Sequence, residues 1–359
     1  MEPVTSTHRA DIVEVVLGPH PNADSLSIVK IYDGGFQVIV KTEDWVERYR
    51  GVYIQPDSIV PDKPEFAFLE KRRIKAKKLR GEWSAGLLVP VPPEFEHLET
   101  GTDLAPLMGI EHYEPPPSMP GLTGGLTDSS PKFIRKQRKD GKYDAEFIGF
   151  EYPKYDVESF RKYGKRVYEP GEIIWITEKI HGSNGRWLFD GKRFYCGSRT
   201  EWKKEDPQNL WWRALNYYPT LQEFLKANPG VAVYGEVYGQ VQDLKYGVPK
   251  GEIRVAVFDI LREGKWINAL EAWKIGKDNG LPWVPLLMGA TYDSLPEPDL
   301  LPRFDFDMLI EMAEGPSQIP DANHIREGIV VKPWEERWHP KMQGRVCTKI
   351  VGNGYWARK

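Results

Sequence analysis

The segment from Tyr113 to Pro131, YEPPPSMPGLTGGLTDSSP, constrains this chain more than any other. Proline, glycine and serine crowd it, and no apolar period survives across it. It cannot run through the middle of a sheet or a helix, so it divides the 359 residues into two units. Residues 1–112 and 132–359 are each long enough to bury a core, and 113–131 reads as the linker between them. A chain starting near Tyr113 is accordingly expected to fold alone.

The two units carry different patterns. Before the linker, short apolar runs such as IVEVVLG, LSIVKIYDG, FQVIVKT and AGLLVPV alternate with turn signals at close spacing, which predicts a small β-barrel. After it, runs rich in Val, Ile and aromatics predict strands at Glu172–Ile180, Val231–Tyr238, Ile253–Leu261, Gly328–Lys332 and Arg345–Val351. Asp190-Gly191 predicts a tight hairpin. Helices are predicted at Leu221–Ala227, Leu270–Asp278 and Asp307–Glu314, the last two stopped by Gly280 and Gly315. The second unit is thus α+β.

Hydrophobic residues make up 40% of the chain and aromatics 12%, which excludes a disordered protein. A net charge of −3 excludes a globally basic nucleic-acid binder and leaves only local patches for that role. Cys196 and Cys347 cannot form a disulfide framework or a zinc site, and no apolar stretch approaches membrane-spanning length. A soluble, monomeric protein of the cytoplasm or another intracellular, reducing compartment is expected.

The chemistry centres on Lys179 in TEKIHGSNG, where a lysine at a strand end precedes a tight polar turn. A lysine amine is protonated near its ordinary pKa of roughly 10.4, so a nucleophilic role asks for neighbours that disfavour its charge. Gly182 would let the backbone approach a ligand closely, and Asn184 can bond a sugar hydroxyl. Four more segments follow in order: VAVYGEVYG around Glu236, VAVFDI around Phe258, EGIVVK from Glu327 to Lys332, and RVCTKIV around Lys349. Together they supply what nucleotidyl transfer requires, which is positioning and charge stabilisation. Glu236 and Glu327 can hold a divalent cation or its waters, Lys332 and Lys349 can face an α-phosphate, and Phe258 offers a flat face to a base.

This ordered set resembles motifs I, III, IIIa, IV and V of the covalent nucleotidyltransferases, the superfamily of ligases and capping enzymes. KIHGSN, with His181 two residues after the lysine, is similar to the RNA ligase 2-like group. The resemblance implies an α+β nucleotidyltransferase (adenylyltransferase) domain and an ATP-dependent RNA ligase. In that reaction Lys179 takes AMP from ATP, AMP passes to a 5′-phosphate, and a 3′-hydroxyl displaces it. It further implies Glu178 and Phe258 at adenine, Asn184 and Glu236 at ribose or metal-bound water, and Glu327 at Mg2+ or Mn2+. Arg199, in GSRT, falls where the family keeps an arginine for ribose. The family's K-x-K in motif V is incomplete here, with Lys349 present and Arg345 the candidate to compensate.

GPHPNADSLSIVKIYDG resembles tRNA-binding OB-fold modules, and RRIKAKKLRGEWSAGLLVPV resembles the leading OB domain of the RNA ligase 5 family. An OB barrel suits RNA. Lys71–Arg80 holds seven basic residues, among which Arg73, Lys75, Lys77 and Arg80 are candidates for the RNA backbone; Lys132–Lys142 holds six. The implied partners are ATP and RNA carrying 5′-phosphate and 3′-hydroxyl ends, either free or at duplex nicks. A DNA ligase or capping guanylyltransferase is the enzymatic alternative, disfavoured by His181 and by the lack of a following OB domain. An RNA-binding protein with lapsed catalysis is the alternative of another class.

Overall fold

The computed structural model describes residues 8–69, 71–113, 145–146, 152–288 and 297–358. The linker beyond Tyr113 and the basic run Lys132–Lys142 lie outside the described residues.

The first unit is built from short antiparallel strands, as its alternating runs predict. Arg50–Ile54 pairs with Ala10–Glu14 on one side and Leu87–Pro90 on the other. Leu17–His20, Ala23–Ile31 and Phe36–Lys41 form a meander, and Ala76–Leu79 with Glu82–Ala85 a hairpin. In Ala23–Ile31, Val29 and Ile31 point into the core while Lys30 is exposed, the period-two signature of a half-buried strand.

The second unit has two sheets. Seven strands lie in the order Ala145–Glu146, Trp202–Lys203, Phe194–Ser198, Ser183–Phe189, Ala232–Gly239, Ile253–Arg262 and Lys265–Trp266. Four lie in the order Glu158–Ser159, Thr348–Val351, Gly328–Pro333 and Ile174–Lys179. Helices Leu210–Tyr217 and Pro219–Ala227 pack on the larger sheet, sharing a core with Trp187, Val233 and Val257. Helices Phe160–Val167 and Phe306–Met312 pack on the smaller, sharing a core with Ile176, Ile329 and Ile350. Among the described residues no helix is long and apolar enough to cross a membrane.

Two local predictions are corrected. The Asp190-Gly191 turn closes a hairpin, but with four residues rather than two: the Asp190 carboxylate accepts from the backbone N–H of both Lys192 and Arg193 at 2.8 Å. The strand predicted over Arg345–Val351 is interrupted. Gly344–Arg345 pairs with Trp338–His339, Val346 N–H donates to the Arg337 carbonyl, and pairing with Gly328–Pro333 starts only at Thr348. Those residues change partners midway, which an apolar pattern does not reveal.

The two units are not loosely tethered. Tyr32 to Gly35 connect the paired Ile31 and Phe36 in a tight turn closed by Gly35 N–H on the Tyr32 carbonyl, with Tyr32, Asp33 and Gly34 all left-handed at φ of 53°, 57° and 91°. The turn carries Gly35 onto the helix Phe160–Val167, where an added Cβ would stand 1.7 Å from the Arg161 carbonyl oxygen. Arg161, buried, donates to the Gly35 carbonyl at 3.0 Å, Phe36 stacks on Trp356, and Lys162 pairs with buried Asp11 at 2.6 Å. Val13, Phe36 and Tyr53 of the barrel share one hydrophobic cluster with Tyr238, Tyr246 and Trp356. A chain starting near Tyr113 would expose that apolar face, so the linker does not mark an energetic boundary.

Gly35→Ala therefore forces the barrel and the second unit apart, because the clash is with backbone and no rotamer relieves it. Overpacking costs roughly 1–3 kcal/mol even where side chains can shift. A melting temperature well below wild type and faster proteolysis of the barrel are the expected results. Gly344→Ala, whose Cβ would meet nothing nearer than 3.7 Å, serves as the control and melts like wild type.

Candidate active site

The strands place the chemistry by register. Thr177 lies opposite Val330, which lies opposite Lys349, and Lys179 lies opposite Gly328. With side chains alternating, Thr177, Lys179, Val330, Lys332 and Lys349 share one face, while Ile176, Ile329, Val331 and Ile350 fill the helix-covered core behind it. On the larger sheet Asn184 lies directly opposite Glu236, and Phe258 sits on the next strand. The two faces enclose a cavity of about 210 Å3, lined by Glu178, Lys179, Asn184, Glu236, Phe258, Lys332 and Lys349 together with Arg199 and the segment Tyr155–Val157.

Lys179 holds Glu327 at 2.8 Å. Burial pushes the amine down, but Glu327 and Glu236 more than reverse this and hold it above the ordinary lysine value. The expected charge-disfavouring neighbourhood is thus corrected: in the unliganded protein the carboxylates keep the amine protonated. Burial would lift Glu327, yet Lys179 and His181 pull it to about 2. Glu236 is driven by burial to about 7, and Lys349 is driven by burial, with Lys179 next, down to about 8.

Glu178 accepts from Ser317 Oγ and from Gln318 N–H, both at 2.6 Å; burial raises it and those bonds oppose the rise. The Tyr155 ring packs at 4.5 Å on Phe258. Arg199 reaches Asp156 at 2.6 Å at the half-exposed rim. At the site, the buried Asn184 Oδ1 and Glu327 Oε2 have no hydrogen-bond partner among the described residues. A buried acceptor left unmatched costs about 1–3 kcal/mol; Asn184 lines the cavity, whereas Glu327 Oε2 faces the His181 ring at 3.6 Å.

Several assignments shift. His181 does not line the cavity; its Nε2 donates to Asp243 at 2.7 Å, and its Nδ1 lies 3.0 Å from the Tyr355 hydroxyl and 3.6 Å from Glu327. Gly182 is required by protein, not ligand: a Cβ there would stand 2.2 Å from the Val237 carbonyl oxygen. Arg345 does not stand in for a motif V lysine. Its guanidinium grips Asp259 at 2.8 Å and also Glu336, facing a neighbouring groove. Lys332 lines the cavity but its amine is bound to Asp259 at 2.6 Å and to the Phe258 carbonyl. Of the basic run, Arg73 is taken up by Asp57 and the Tyr113 ring, and Lys75 donates to the Arg358 carbonyl. Lys77 and Arg80 are exposed.

Sequence reading missed Tyr155, Asp259, Asp243 and Tyr355. Asp259 directly follows Phe258 in VAVFDI, and a buried acid inside an apolar strand is the signal that it must meet cations. Tyr155 and Tyr355 carry no local signal, since their roles arise from contacts across the fold.

A lysine beside a carboxylate thus meets an aromatic wall and two further lysines between two facing sheets, an arrangement that can carry nucleotidyl transfer. The family model described as RNA ligase matches residues 172–351, and an OB-fold domain model matches residues 10–91. The chain belongs to the RNA ligase family. Its fold is that of solved Naegleria gruberi RNA ligase structures. One mutant of that protein with ATP and Mn has TM-score 0.72 at 23% identity, covering 97% of this chain and 98% of that one. A structure of it with PPi has TM-score 0.72 at 22% identity, covering 97% of both chains. Another mutant, with AMP and Mn, has TM-score 0.72 at 22% identity, covering 97% of this chain and 98% of that one. No curated protein matches the sequence.

Asp259 is the anchor of the site's second charge cluster, so Asp259→Ala leaves Lys332 and Arg345 buried without their shared partner. Breaking such a pair costs about 3–5 kcal/mol. Urea denaturation should show that loss in the midpoint with an unchanged slope; a midpoint equal to wild type would remove Asp259 from this role.

Proposed function

We propose that the protein is an ATP-dependent RNA ligase in which Lys179 is the nucleophile, a reading carried above all by the Lys179 amine on the cavity floor, 2.8 Å from Glu327. Phe258 stacks against adenine and Glu178 reads its edge. Asn184 Oδ1, buried and unmatched, accepts from a ribose hydroxyl, with Arg199 at the rim. Lys332, held in place by Asp259, and Lys349 face the α-phosphate. Once it sheds a proton, the amine attacks the α-phosphorus, forming a P–N bond as the P–O bond to pyrophosphate breaks. A 5′-phosphate oxygen then takes AMP from Lys179, and a 3′-hydroxyl displaces AMP to form the phosphodiester.

A divalent cation fits the carboxylates present. Glu327 has a buried oxygen with no partner, and Glu236 lies on the facing sheet. Among the described residues there is no cluster of three or more ligating side chains, which suits Mg2+ or Mn2+ held by one or two carboxylates, waters and substrate phosphates. Bound there, it would neutralise developing charge on phosphate oxygens. Glu327 and Glu236 orient it.

A wider groove adjoins the cavity across Tyr155 and Asp156, walled by Trp266, Trp338 and Arg345, and offers an RNA end a route to Lys179. The exposed Lys77 and Arg80 extend contact along the backbone, whether at free ends or at nicks. Both cysteines are buried and free of disulfides, which supports action in a reducing, intracellular compartment; we take the protein to act there as a monomer.

Incubation with ATP, Mn2+ and 5′-phosphorylated RNA should yield joined product, and Lys179→Ala should yield none. Joining by Lys179→Ala at the wild-type rate would refute the reading. Phe258→Ala should raise the KM for ATP while sparing the sealing of pre-adenylylated ends, since base stacking is worth roughly 1–3 kcal/mol.

A further inference from the structure

The residue two places after the nucleophile is histidine, and its surroundings form a chain of contacts that the ligase reading leaves unassigned. His181 is buried, with its Nε2 on the Asp243 carboxylate at 2.7 Å. The other Asp243 oxygen is gripped by Arg358 at 3.0 Å. The Arg358 guanidinium lies 3.6 Å over the Tyr355 ring, and the Tyr355 hydroxyl lies 3.0 Å from His181 Nδ1. Asp243, Arg358 and Tyr355 thus close a ring of contacts with the imidazole, whose Nδ1 faces Glu327 Oε2 at 3.6 Å. Glu327 in turn is the carboxylate that meets Lys179. The ring is anchored on the barrel as well, because Lys75 donates to the Arg358 carbonyl.

We infer that Asp243, Tyr355 and Arg358 are positioning residues, acting through His181 to hold the Glu327 carboxylate at the working distance from Lys179. The inference rests on the reading of Lys179 as the nucleophile. Three observations carry it. His181 reaches neither the cavity nor solvent, so its ring is not placed to bind nucleotide. Glu327 Oε2 is buried with no hydrogen-bond partner among the described residues, and the imidazole stands 3.6 Å from it while Lys179 holds the other oxygen. Asp243 is half-exposed, and a half-exposed carboxylate committed to both a buried histidine and an arginine fixes that ring's orientation at the expense of its own hydration. A partner that orients a ligating group by a hydrogen bond one step removed is worth roughly 10- to 100-fold in metal affinity or activity when lost. Lys75 has a consequence here too: its bond to the Arg358 carbonyl ties the barrel to the tail segment that carries Tyr355 and Arg358, so the docking of the two units and the aim of Glu327 are mechanically linked.

The test uses the full chain, ATP and Mn2+, and follows Lys179–AMP formation in single turnover. Asp243→Ala should slow it roughly 10- to 100-fold and raise the Mn2+ concentration giving half the maximal rate, with KM for ATP little changed. Asp243→Asn, which keeps an acceptor for the imidazole, should recover most of the rate. Arg358→Ala and Tyr355→Phe should fall between, and both keep the inference falsifiable if Asp243→Ala does not fold. A purely structural role would lower the melting temperature and the active fraction but leave the Mn2+ half-saturation where it is. Adduct formation in the folded variants at the wild-type rate and Mn2+ dependence, with wild type active, overturns the inference alone. Absence of adduct in wild type overturns the reading of Lys179 and the inference with it.

Discussion

The antiparallel register that sets Lys179 against Gly328 brings the Lys179 amine to 2.8 Å from Glu327, and the rest of the site depends on that pairing. A slip of one residue would turn Lys179 into the helix-covered core and put Ile180 in its place, because strand side chains alternate. The register is held from both directions. Ile176, Ile329, Val331 and Ile350 are fully buried on the far face, and Gly328 admits the neighbouring strand so closely that a Cβ would stand 1.9 Å from the Ile350 carbonyl oxygen. The apolar face therefore decides where the polar face points.

Two clusters of buried charge flank the cavity, and they do different things. In one, Lys179, Glu327 and His181 lie within reach of each other, and their balance is incomplete: Glu327 keeps an unmatched oxygen. In the other, Asp259 is fully buried and saturated by Lys332, Arg345 and the Tyr155 hydroxyl. The saturated cluster fixes a wall; the unsaturated one leaves a carboxylate oxygen facing the His181 imidazole, at 3.6 Å. Buried carboxylates cost several kcal/mol to desolvate, and Lys179 on the other Glu327 oxygen offsets that cost.

Much of this was legible in the sequence, for identifiable reasons. Lys179, Glu236, Phe258 and Glu327 each sit in or beside an apolar run that signals a strand, so a polar or aromatic residue there stands out. The residues that escaped notice work through distant partners. Asp259 meets Arg345 across 86 positions, and Tyr355 meets His181 across 174. Gly182 was visible as a close-approach glycine, but whether ligand or strand approaches it depends on the pairing of Ser183 with Val237. The linker looked like an energetic boundary because chain composition reports local flexibility; the shared core of Phe36, Tyr53, Tyr246 and Trp356 is assembled from residues far apart in sequence.

The measurement closest to the central claim is a peptide map of the protein after incubation with ATP and Mn2+. AMP should be found on the peptide carrying Lys179, through a bond that survives base and breaks in acid, as a phosphoramidate does. AMP on Lys332, Lys349 or any other residue, with Lys179 unmodified, would contradict the account.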